Sequence, residues 1–182
     1  MFILASQSPR RKEILEMLGI DFKIIPAKSE AEIDKSLSIE KGIEQIAYLK
    51  AKEVFDLNQD CTVLGADTVV VLENEVLGKP KSKEDAFNML KKLSNKTHQV
   101  ITGVALIKKE KTVTFSEIAE VTFADLTDEE INNYIETGEP FDKAGSYAIQ
   151  GKSAVFVKKL NGDFFTVVGL PCQRLYEELK NF

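Results

Sequence analysis

One histidine, His98, and two cysteines, Cys61 and Cys172, are the only imidazole and thiol groups in 182 residues. The cysteines stand far apart and outside any CxxC spacing, so neither a disulfide framework nor a zinc site is indicated, and both are expected to be buried or inert. His98 falls in the polar stretch from Ser94 to Gln99 and is expected in a surface turn. With no second histidine and no G-x-S-x-G elbow, a Ser/His/Asp triad is set aside. Basic charge is also scarce: 24 Lys and Arg against 29 Asp and Glu leave a net charge of -5. That balance excludes a broad basic face for gripping DNA or RNA, while leaving room for a local cluster that holds a small anion. Internal repeats, low-complexity linkers and an excess of proline or glycine are all missing, which excludes the disordered and repeat classes. The first residues, Met1 to Ser6, are apolar for only a few positions and run into charged sequence, which is not the pattern of a signal peptide or a membrane span. A cytoplasmic location is expected.

What is present suits a single domain over residues 1–182 with one substantial core. Phe2 to Ala5 reads as a buried strand, and Ser8-Pro9 opens a helix running to Leu18, with Gly19 as its stop. A strand at Phe22 to Ile25, a polar loop from Ser29 to Ser38 and a helix from Ile39 to Val54 follow. Thr62 to Leu72 reads as a buried strand that turns at Glu73-Asn74 into Val76-Leu77. Ser82 caps a helix whose apolar residues are Ala86, Met89, Leu90 and Leu93. Val100 to Ile107 and Val113 to Phe123 form two long strands, and Thr127 with Glu130 makes a capping box for a helix ending before Gly138. The last part holds a glycine-bearing loop, a hairpin turning at Asn161-Gly162 and a helix started by Pro171. Alternating strands and helices together with hairpins predict an α/β fold with a mixed sheet.

Five places carry chemistry. Ser6-Gln7-Ser8-Pro9-Arg10-Arg11 lies between a strand and a helix, where free backbone N–H groups, the helix dipole, the hydroxyls of Ser6 and Ser8 and two guanidinium forks suit an anion; a plain helix cap with solvated arginines is the other reading. Asp67 interrupts the apolar run from Val63 to Val71, and a carboxylate there needs a cation, a metal or donors to offset its desolvation; a structural aspartate that ends one strand and caps a turn is the other reading. Lys50 falls on the same helical face as Ile43, Ile46, Ala47, Ala51 and Val54, so it either snorkels along the core or reaches towards negative charge. Gly78-Lys79-Pro80 sets another lysine in a tight loop that is not a P-loop, and Gln150, beside Gly151, offers an amide able to read a base edge; a hairpin loop with solvated polar residues is the other reading.

Taken in order, SQSPRRKEIL, GADTVV, GKP, TGV at Thr102 to Val104, DKAGSYAIQG and VVGLP resemble the Maf family over nearly the whole chain. The resemblance implies a long twisted mixed sheet with flanking helices and a cleft between two lobes, similar to the inosine triphosphate pyrophosphatases. It implies hydrolysis of a nucleoside triphosphate between the α and β phosphates with a divalent metal, Mg²⁺ or Mn²⁺. It makes Asp67 the catalytic acidic residue, Lys50 and Lys79 catalytic lysines, Ser6, Arg10 and Arg11 a phosphate cradle, and Thr68 and Gln150, with Arg10, determinants of substrate choice. The KAGSYAIQG form resembles the dTTP/UTP branch. Where family members carry two adjacent acids after the second strand, this chain has Glu30-Ala31-Glu32, so the metal-site acid beside Asp67 is Glu30 or Glu32. A homodimer is the family expectation. The rival classes are a nucleotidyltransferase, against which Ala5-Ser6-Gln7 stands in place of a glycine-rich loop, and a non-catalytic nucleotide-binding regulator of cell division.

Overall fold

The computed structural model describes residues 1–28 and 31–182. In chain order the elements are β1 (Phe2–Leu4), α1 (Pro9–Met17), β2 (Phe22–Ile24), α2 (Ile39–Asp56), β3 (Thr62–Leu72), β4 (Glu75–Leu77), α3 (Lys83–Leu93), β5 (Thr97–Lys108), β6 (Lys111–Phe123), α4 (Asp128–Glu136), β7 (Val157–Asn161), α5 (Phe164–Val168) and α6 (Cys172–Lys180). Local chemistry sets most of their ends. Ser38 Oγ accepts from the Lys41 N–H to open α2, Ser82 Oγ accepts from the Asp85 N–H to open α3, and Thr127 with Glu130 closes a full capping box on α4. Gly19, at φ 69, ends the first helix in the left-handed region that favours glycine. Among the described residues no helix is long and apolar enough to cross a membrane.

The strands form one mixed sheet in the order β2-β1-β3-β5-β6-β7, with β4 paired to β3. β1 lies parallel to both β2 and β3, whereas β4 runs antiparallel to β3 and β7 antiparallel to β6. β1 and β2 are joined through α1 and β3 and β4 through a short turn, and parallel and antiparallel pairs in one sheet are the combination predicted for this α/β fold.

Contacts divide the chain into two compact units. The first comprises residues 1–68, 102–117 and 169–182, and the second residues 69–101 and 118–168. The core of the first is built from Ile3, Ala47, Ala51, Val54, Val63 and Ala105. Two glycines bring α2 down onto the strands of that unit. A Cβ at Gly65 of β3 would run into the Ala47 carbonyl oxygen and lie 2.8 Å from the Ala51 amide nitrogen, and one at Gly103 of β5 would lie 2.6 Å from the Ile43 backbone. The helix backbone therefore rests directly on two neighbouring strands. The second unit has its own core, centred on Leu90, Leu93, Phe123, Ile131, Tyr147 and Phe156.

Two sequence expectations are corrected. His98 is not in a surface turn: β5 begins at Thr97, and His98, in phase with Val100 on the strand, is only 1% exposed. Its Nε2 is 2.7 Å from Tyr147 Oη, and its ring meets Phe123 edge-on. Burial pushes the imidazole pKa down to about 4. The second correction is at Asn161-Gly162, which turns no hairpin. β7 pairs backwards with β6, and the chain passes through Gly162, at φ 120, into α5, where Asp163 Oδ2 accepts from the Thr166 N–H at 2.7 Å. The asparagine-glycine pair resembles a hairpin turn, but the aspartate that follows is a helix cap, and the cap prevails.

The close seating of α2 is testable. Gly65→Ala puts a methyl group against the backbone of α2, and should destabilise the protein by about 1–3 kcal/mol. Chemical denaturation followed by circular dichroism measures this. An unchanged midpoint would mean that α2 is free to move off β3.

Candidate functional site

In the first unit the chain leaves β1 at Ala5 and enters α1 at Pro9, whose ring suits the first helical position. Ser8 occupies the N-cap but makes no side-chain cap bond; its N–H donates to Ser6 Oγ at 3.2 Å. Ser6 is buried, and the same oxygen accepts from Arg11 Nη1 at 3.1 Å. Arg11 also donates from Nε to the Gly169 carbonyl at 2.9 Å and from Nη2 to Thr68 Oγ1 at 3.2 Å. Three of its five N–H donors are thus held inside the protein. Burial lowers the Arg11 pKa from its ordinary value, the Asp67 carboxylate opposes that shift, and Arg10 adds to it. Arg10 is half-buried and makes no hydrogen bond to a described residue.

Thr68 Oγ1 is in turn 2.9 Å from Thr102 Oγ1 on β5. Ser6, Arg11, Thr68, Thr102 and Gly169 therefore form one hydrogen-bonded group. Thr102 and Gly169 are not among the predicted site residues. Their signal lies in the TGV and VVGLP motifs, which mark the segments without assigning either residue a role.

Asp67 lies one residue before Thr68 and points to the opposite side of β3, as strand alternation requires. That side carries Gly65 and faces α2. Lys50, on the inward stripe of α2 beside Ala47 and Ala51, meets Asp67 with Nζ 2.6 Å from Oδ1. The two side chains are 22% and 25% exposed, so the pair is neither a loose surface ion pair nor sealed from water. The inward lysine thus reaches negative charge and does not merely snorkel. Oδ2 of Asp67 makes no hydrogen bond to a described residue.

Lys79 and Gln150 belong to the second unit. Lys79 is exposed on the loop after β4, where the Gly78 carbonyl accepts from the Gly145 N–H at 3.0 Å. That bond ties the Gly78-Lys79-Pro80 loop to the DKAGSYAIQG segment. Gly145 is at φ 65, and a Cβ there would lie 2.9 Å from the Val70 side chain, so the segment turns tightly over β3. Gln150 is exposed at a turn further along. Glu32 is exposed on the loop before α2, and Glu30 lies outside the described residues. Among the described residues no three His, Cys, Asp or Glu side chains gather as a metal site.

A sequence model of the Maf-like proteins matches residues 1–182. A Bacillus cereus protein named dTTP/UTP pyrophosphatase is 53% identical over 180 residues, covering 99% of this chain and 94% of its own. The Bacillus cytotoxicus protein of the same name is 52% identical over 181 residues, covering 100% and 95%. Among solved structures, the Staphylococcus aureus Ham1 protein aligns with a TM-score of 0.48 at 17% identity, covering 68% of this chain and 72% of its own. The chain belongs to the Maf-like protein family.

The Lys50–Asp67 pair gives the most direct test of the site. Asp67→Asn keeps the shape and removes the carboxylate, so turnover of a nucleoside triphosphate should fall by roughly two orders of magnitude or more while the circular dichroism spectrum stays that of the wild type. A folded variant with near wild-type turnover would make Asp67 a structural partner of Lys50.

Proposed function

We propose that this chain is a nucleoside triphosphate pyrophosphatase that hydrolyses dTTP and UTP, between the α and β phosphates, to the monophosphate and pyrophosphate. The observation that carries the reading is the Lys50–Asp67 pair, partly open to water, in the same unit as the cationic start of α1. The names borne by relatives sharing about half of this sequence support the choice of substrate.

In the reaction, a water oxygen attacks the α phosphorus as the bond to the α–β bridging oxygen breaks in line with it, and pyrophosphate leaves with that electron pair. Asp67 orients the water and takes its proton. Lys50 holds Oδ1 and so fixes the direction of the carboxylate. The N-terminal N–H groups of α1, Ser8 and the unengaged guanidinium of Arg10 take phosphate oxygens, while Arg11 and Ser6 hold the loop from beneath and present the two remaining N–H donors of Arg11. Lys79 offsets phosphate charge, and Thr68 and Gln150 govern the choice of base; these three roles rest on the family resemblance.

A divalent cation, Mg²⁺ or Mn²⁺, fits Asp67, because a carboxylate oxygen outside the Lys50 bond is a hard donor of the kind these ions take. Asp67 would hold it together with Glu30 or Glu32. When bound, it would offset the negative charge that builds on the phosphoryl oxygens. A single Maf-like domain over residues 1–182, a cytoplasmic location and a homodimer complete the proposal; the first two rest on the length and composition of the sequence and the last on the resemblance.

Base choice provides the test. The uracil or thymine edge presents an acceptor, a donor and an acceptor, which an amide can match; an ionised carboxylate offers only acceptors. Gln150→Glu should therefore lower kcat/KM for UTP by roughly ten- to hundredfold and affect GTP less. The measurement is kcat/KM for dTTP, UTP, CTP and GTP on both proteins, with pyrophosphate scored against orthophosphate. An equal fall for all four would return Gln150 to a loop-supporting role, and orthophosphate as the product would overturn the reaction.

A further inference from the structure

Gln150 is presented by a turn that is fastened at both ends, and one of the fasteners is a carboxylate with no role in the chemistry above. Helix α4 stops at Gly138, at φ 74, and the chain winds through a 3-10 turn, Glu139–Asp142. The Glu139 carboxylate accepts the Lys152 N–H at 3.0 Å and 3.1 Å from its two oxygens, and Tyr134 Oη approaches it at 3.4 Å. Gly151, between Gln150 and Lys152, lies flat against the same carboxylate, so that a Cβ there would meet Oε1 and fall 2.7 Å from Cδ. The other fastener is the buried Ser153, whose hydroxyl donates to the Ala148 carbonyl at 3.0 Å and accepts the Ala148 N–H at 3.1 Å. Gly151 N–H donates to the Ala148 carbonyl as well, at 3.0 Å. The exposed Gln150 is thus the outward point of a short closed turn, and its amide makes no hydrogen bond to a described residue.

An amide that reads a base edge must hold its direction to a fraction of an ångström, and an exposed turn does so only if its backbone is tied down. We propose that Glu139 is a positioning residue for base selection: by taking the Lys152 N–H and filling the space beside Gly151, it fixes the turn that directs Gln150. This rests on the reading of Gln150 as the base-selecting residue. Glu139 touches no part of the substrate in this account. Its loss therefore acts on substrate affinity and base discrimination and leaves the chemical step alone. The requirement for glycine at 151 has the same origin, since any side chain there displaces the carboxylate.

The test compares UTP with CTP on Glu139→Ala, Glu139→Gln, Gly151→Ala and Gln150→Glu, with hydrogen exchange at the Lys152 amide measured on each. In Glu139→Ala the amide should exchange faster, KM for UTP should rise about tenfold, kcat should stay within about twofold, and the UTP-to-CTP ratio of kcat/KM should shrink. Glu139→Gln keeps an acceptor oxygen and should restore most of that ratio. If Glu139→Ala does not fold, Gly151→Ala carries the same expectation by pushing the carboxylate aside. A ratio that survives in a folded variant with fast exchange overturns the inference, as does a fall of kcat shared equally by both nucleotides. If Gln150→Glu changes the ratio and the Glu139 and Gly151 variants do not, Glu139 is structural and the reading of Gln150 stands. If none of them changes it, that reading fails and the inference fails with it.

Discussion

The first unit depends on the absence of two Cβ atoms. Gly65 on β3 and Gly103 on β5 let the backbone of α2 rest on both strands. A residue with a side chain at either place would lift the helix, and Lys50, which shares the inward face of α2 with Ala47 and Ala51, would lose its reach. Because α2 lies so low, Lys50 meets the carboxylate two residues along β3 from Gly65 at 2.6 Å. Packing therefore sets the geometry of the ion pair. The helix is docked by Ala47, Ala51 and Val54, and the charged pair sits at the edge of that apolar contact, where water still reaches it.

The two adjacent arginines play different parts. Arg11 commits three donors to Ser6, Thr68 and Gly169, binding the β1–α1 loop, β3 and the segment before α6 into one piece. Burying a guanidinium is costly, which is why its pKa is lowered, and the hydrogen bonds with the opposing charge of Asp67 compensate. The guanidinium of Arg10 is bonded to no described residue, which suits the phosphate-binding part proposed for it. Arg11 holds in place the loop that carries Arg10.

Much of this is legible in the sequence. The apolar run around Asp67 and the helical phase of Lys50 each point to a buried charge, and the structure joins them. Helix caps at Ser38, Ser82 and Thr127 are equally legible, because a hydroxyl followed by an apolar periodicity is a local signal. What escapes is non-local. The polar neighbours of His98 suggest a turn, whereas its two-residue spacing from Val100 decides its burial. Gly169 contributes a backbone carbonyl, and no residue type announces that. Asn161-Gly162 has the chemistry of a hairpin turn, and only the cap that Asp163 places on α5 redirects the chain. Glu139 acts across 13 positions on Lys152, a distance at which neither periodicity nor spacing speaks.

In the proposed function the ion pair and the cationic helix start serve one chemical event, attack of water on the α phosphorus. Hydrolysis of UTP in ¹⁸O-labelled water tests that event directly, since the oxygen delivered by the solvent stays with the phosphorus it attacked. The account predicts the label in UMP and none in pyrophosphate. Label in pyrophosphate, or in orthophosphate, would contradict it by placing the attack at the β or the γ phosphorus.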